Sequence, residues 1–118
     1  MLTKVKLIAV DGTETLEELN LPAVPSYEHL KRIVERHIDG WFERVAVWDN
    51  FGEGKMRGLD MFVDEIGLIK GLPRNEKATK IYRAANQAGM SAVPPMKNPE
   101  LLNVIVGPAV LFNRPVWF

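Results

Sequence analysis

The chain has 118 residues, 47% hydrophobic and 25% charged, with 15 Lys and Arg balancing 15 Asp and Glu. That length suits one domain and that composition excludes a disordered chain, while zero formal charge gives no general attraction to nucleic acid or anionic lipid. The absence of cysteine excludes a disulfide framework, a thiolate metal site and a cysteine nucleophile.

Residues 4–10 alternate loosely between lysine and apolar side chains and predict a strand. Only four apolar residues run together after Lys6, so no signal-peptide core is read and the expected location is the cytoplasm. Nothing approaches the roughly 18 apolar residues of a spanning helix. Asp11-Gly12 is a turn signal, and Glu14 to Leu21 predicts the second arm of a hairpin, ended by Pro22 and Pro25. Ser26 is a candidate N-cap for a helix from Tyr27 to Ile38, where Tyr27, Leu30, Ile33, Val34 and Ile38 recur at helical spacing and Gly40 closes the element.

Trp41 to Trp48 predicts a third strand and Asn50 to Gly58 a glycine-rich connection. Leu59 to Val63 predicts a fourth strand, with Leu59, Met61 and Val63 on one face and Asp60, Phe62 and Asp64 on the other. Asp64-Glu65-Ile66-Gly67 suggests a turn with a glycine bulge, returning as a short arm at Leu68-Ile69. Asn75 is placed as the cap of a second helix whose stripe is Ala78, Ile81, Tyr82 and Ala85. Residues 89–99, with three prolines, predict a surface excursion. Val104 to Phe112 predicts a last strand, in which Gly107-Pro108 marks a bulge or an edge. The expectation is an α+β domain over 1–118, with a mainly antiparallel sheet of about five strands, both helices on one face and a C-terminal tail at 113–118.

Glu65-Ile66-Gly67, then Gly71-Leu72-Pro73-Arg74-Asn75 opening a helix, then Ile105-Val106-Gly107 near the end, form a pattern. On these motifs the chain resembles the family called domain of unknown function 3846, small proteins of phages, prophages, plasmids and actinobacteria. The upstream hairpin and helix also fit that family. The long 89–99 stretch and Asn113 to Phe118 depart from it. The resemblance implies a setting in mobile genetic elements and an accessory role, counter-defence included; it brings no catalytic residues.

The residues themselves offer few convergent groups. Gly71, Arg74, Asn75 and Lys77 surround a helix start whose free amides suit a phosphate or carboxylate, or a nucleotide carrying one; the same pattern also serves as a plain capping turn. Lys70, Arg74, Lys77, Lys80 and Arg83 make a basic run, read as a solvated face. Residues 1–50 hold nine acids and six bases, and residues 51–118 hold six and nine. No aromatic residues interleave with the basic run, so nucleic acid is not the expected partner. Asp60, Asp64 and Glu65 suit edge-strand solubility and turn formation better than acid–base catalysis, since two residues four apart on a strand lie about 13 Å apart. His29 and His37 lie about 12 Å apart along a helix, too far to share a metal ion. Ser26 reads as a cap, and Ser91 lies among prolines with no histidine near in sequence.

Aromatic residues are the remaining feature. Trp41, Trp48, Phe51, Trp117 and Phe118 exceed what a core of this size must hold, so Trp48, Phe51, Trp117 and Phe118 are a candidate interaction surface. Trp117 and Phe118 either fold back on the sheet or touch another chain, and folding back is preferred. The expected function is non-catalytic binding to a host protein or to a second copy, with no cofactor and no metal; the alternative is a small-ligand binder that takes a nucleotide or other anion.

Overall fold

The computed structural model describes residues 1–89 and 104–118. β1 (Leu2–Ile8) and β2 (Glu14–Asn20) form the first hairpin. Its turn is closed by the Asp11 carboxylate, which accepts from Thr13 N at 2.8 Å, and by Gly12 at φ 91°. That left-handed conformation is open to glycine because it has no Cβ. α1 (Tyr27–Val34) follows. Ser26 Oγ accepts from His29 N, and His29 Nδ1 accepts in return from Ser26 N, so a histidine closes the capping box where glutamate is usual. The regular helix ends sooner than its apolar stripe, and Ile38 reaches the core from the turn beyond it.

β3 (Phe42–Asp49) and β4 (Arg57–Asp64) form a second hairpin, with Phe42 opposite Asp64 and Asp49 opposite Arg57. α2 (Gly67–Lys70) is a single helical turn, α3 (Glu76–Gln87) is the longest helix among the described residues, and β5 (Ala109–Phe112) inserts between β1 and β4. The sheet order is β2-β1-β5-β4-β3, antiparallel at every step. This is the expected α+β architecture. No helix among the described residues is long and apolar enough to cross a membrane.

The helices do not share one face. Ala78, Ile81, Tyr82 and Ala85 of α3 pack with Ile8, Leu59, Met61, Ala109 and Leu111. Leu30, Ile33 and Val34 of α1 pack with Val5, Phe62, Val110 and Phe112 on the other side. Strand alternation gives the inner strands an apolar set on each face, and each set needs its own cover. All four residues of β5 are buried for this reason.

Three local expectations change. Leu68-Ile69 belongs to α2, not to a strand arm: Gly67 is absent from the positive-φ residues, while Gly71 at φ 72° ends the turn. Gly67 is needed for closeness, since a Cβ there would meet Val106 Cγ2 at 2.7 Å. β5 is central instead of bulged or at an edge, because Gly107 and Pro108 precede it and only a lone bridge joins Arg74 to Val106 upstream. Asp60 and Asp64 are buried on an inner strand, not placed at a soluble edge. The excursion expected over 89–99 falls, beyond Gly89, outside the described residues.

Candidate functional site

The sheet has two outer strands, and they differ. β2 carries Glu14, Glu17 and Glu18, with Arg36 ion-paired to Glu17 at 2.9 Å, a charged edge of the kind that resists strand pairing. β3 reads Phe-Glu-Arg-Val-Ala-Val-Trp-Asp. Glu65 N donates to Trp41 O at 3.0 Å, which sets the phase of the β3–β4 ladder. Trp41, Glu43, Val45 and Val47 therefore aim their peptide groups at β4, and Phe42, Arg44, Ala46 and Trp48 present theirs outward. Among the described residues no strand pairs with that outward row.

A groove of about 360 Å³ runs along this strand on the α3 side. Val45, Val63, Tyr82, Ile105 and Val106 supply apolar walls, and Gly67 and Leu68 close one end. Further apolar side chains stand exposed at the open end of the β3–β4 hairpin: Trp41 at 73%, Leu68, Ile66, and Ile69 at 85%. α2 is held there by Lys70 Nζ, which donates to Asp39 O and pairs with Asp64 at 2.8 Å.

The groove's rim is acidic. Glu43 and Glu65 stand on the same face, diagonal across the ladder. Partial burial pushes the Glu43 carboxyl above its ordinary range, and the negative charge of Glu65 adds to the push. Asp64 has Lys70 and Asp60 has Arg44, but no cation among the described residues lies within ion-pair distance of Glu43 or Glu65. The rim suits recognition of a cation better than attack on a bond.

The four residues of the predicted anion site do not converge. Asn75 is fully buried: its amide donates to Ile8 O and Gly107 O, and its Oδ1 accepts from Ala78 N. Every side-chain polar atom of Asn75 is thereby used, Oδ1 in capping α3 and the amide nitrogen in joining it to β1 and to the approach to β5. Arg74 pairs with Glu76 at 2.7 Å, and Gly71 ends α2. Lys77 turns instead toward Glu14, at 3.7 Å, where Lys6 and Lys80 also line a shallow depression of about 280 Å³.

The aromatic residues divide. Phe51 is 3% exposed and belongs to the core, held at φ 60° with Lys6 Nζ donating to its carbonyl and lying 4.4 Å from its ring centroid. Trp48 is half-buried against the same cluster. The C-terminal segment folds back: Val116 is buried, and Trp117 packs at 6.0 Å from Phe62 and 6.2 Å from Tyr27, leaving Phe118 exposed. His29 serves the α1 cap, and no three His, Asp or Glu side chains gather as a metal site among the described residues.

No family model, no curated protein and no solved structure matches this chain. Sequence reasoning passed over Glu43, Ile66, Leu68 and Ile69 as site residues. The available signal was the exposed Leu68-Ile69 pair beside a glycine-ended turn, which a strand reading absorbs into the sheet.

Proposed function

We propose that this chain acts by non-catalytic binding of a protein segment along the free edge of β3. The observation that carries this reading is the outward row of Phe42, Arg44, Ala46 and Trp48, unpaired among the described residues, beside a groove with apolar walls and flanked by exposed Trp41, Leu68 and Ile69. An extended segment gains main-chain hydrogen bonds from such an edge and side-chain contacts from the groove. Both outer strands carry three charged side chains, and what sets β3 apart is the groove beside it.

The motif resemblance at Glu65–Gly67, Gly71–Asn75 and Ile105–Gly107 adds a setting: a small accessory protein of a phage or mobile element, engaging a host protein in the cytoplasm. A photo-cross-linking residue placed at Ala46 tests the reading in cells. The expected result is one dominant adduct, joined through an extended segment of its partner and lost in Ile69→Asp. The absence of any dominant adduct from Ala46 would count against the β3 edge, and adducts that persist unchanged in Ile69→Asp would remove Ile69 from the contact.

A second reading, a small-anion binder, has Lys6, Lys77 and Lys80 around the shallow depression in its favour, although Glu14 and Asp49 line it too and Glu14 lies within ion-pair distance of Lys6 and Lys77. Thermal shift with nucleoside phosphates tests it, since ligand at a hundred times Kd adds about 2.7 kcal/mol. No shift with any of them sets that reading aside.

A further inference from the structure

We infer that the segment received by β3 alternates apolar residues with a basic one, its Lys or Arg lying between Glu43 and Glu65. The inference rests on the edge-binding reading above and names the chemistry of its partner. A strand added beside β3 drops every second side chain onto the α3 face, about 7 Å apart. There it meets apolar walls at Val45, Val63, Tyr82 and Ile105, and two acids that have no cation within ion-pair distance among the described residues. Desolvation already disfavours the charge on Glu43. A strand laid over it deepens that cost unless it brings a counter-charge.

A second copy of this chain does not supply one. On the α3 face, β3 carries Glu43, Val45, Val47 and Asp49, and its cation Arg44 lies on the opposite face, 2.8 Å from Asp60. A continuous antiparallel sheet between two copies keeps each face on its own side, so acids would meet acids and valines. β2, with the sequence Glu-Thr-Leu-Glu-Glu-Leu-Asn, contains no cation at all. Charge complementarity therefore selects a different, basic segment over self-pairing.

The test is fluorescence anisotropy with two labelled peptides of alternating threonine and valine, one with a central arginine and one with glutamate in its place. The arginine peptide is expected to bind about tenfold more tightly at low salt. Glu43→Gln with Glu65→Gln, folded by circular dichroism, is expected to erase that difference. Equal affinity of the two peptides for the unaltered protein overturns the inference and leaves edge binding standing. Binding of neither peptide, with the amides of Phe42, Arg44, Ala46 and Trp48 exchanging at the same rate with and without peptide, overturns the edge reading itself. A dimer in sedimentation that Ala46→Pro dissociates overturns the inference in favour of a second copy.

Discussion

The carboxylate of Asp60, 1% exposed in the middle of β4, accepts the backbone N–H of Val116 at 2.8 Å, fifty-six positions later in the chain. The same oxygen accepts from Trp117 N at 2.9 Å, and the other oxygen takes Arg44 Nε at 2.8 Å. A buried carboxylate is tolerable when it is fully hydrogen-bonded, and here two of the three bonds come from Val116 and Trp117 and the third from Arg44. Arg114 strengthens the attachment, donating to Thr3 Oγ1, Ala23 O and Pro22 O. The segment from Arg114 to Trp117 is thus a structural strap across the α1 face.

Asp60→Ala should cost about 3 kcal/mol in denaturant unfolding, as expected when one partner of a buried, charge-assisted network is removed. Val116 and Trp117 amides should lose protection from hydrogen exchange at the same time. Unchanged protection at both amides would show that the strap is held by apolar packing alone.

Asn75→Ala should lower stability by about 2–3 kcal/mol, because it removes a cap and leaves Ile8 O and Gly107 O short of a donor in the interior. Asn75→Asp keeps the cap acceptor but sets a carboxylate against two carbonyls, so it should recover little of the loss. A melting temperature for Asn75→Asp equal to that of the unaltered protein would contradict this account.

Gly107→Ala meets two obstacles at once, a backbone at φ 76° and Leu72 Cδ1 at 2.7 Å from the new Cβ. A loss of about 1–3 kcal/mol is expected. Adding Leu72→Ala should not restore stability, because the backbone strain remains and a cavity is added. Chemical denaturation of both variants checks it.

Glu43→Gln should raise the melting temperature at pH 7. The folded protein holds the Glu43 proton more tightly than the unfolded chain does, so ionised Glu43 costs stability above its folded pKa. That cost shrinks as pH falls through the folded pKa and is gone below the unfolded value of about 4.3. Melting curves across this range should therefore converge at the acid end, and a gap that stays constant with pH would exclude the electrostatic cause.

Ile69→Asp should leave the fold within about 0.5 kcal/mol of the unaltered protein, as for other exposed positions. Its effect belongs to binding. A large loss of stability in unfolding experiments would reassign Ile69 to the core.

Local features were readable from the chain itself. The Asp11-Gly12 turn, the Ser26 and Asn75 caps, the α3 stripe and the alternation from Leu59 to Asp64 all depend on neighbours within a few positions, where side-chain period and capping chemistry decide. The run Ala109–Phe112 predicts a strand, but Gly107-Pro108 before it points to a bulge or an edge, and only the sheet order makes it central. Distant partnership was another matter. The sequence does not say that β5 enters between β1 and β4, that α1 and α3 lie on opposite faces, or that Asp60 waits for Val116. It also leaves open which outer strand stays unpaired beside a groove. Those outcomes follow from closing one sheet whose two apolar faces must both be hidden, a condition on the whole chain that no short stretch of it contains.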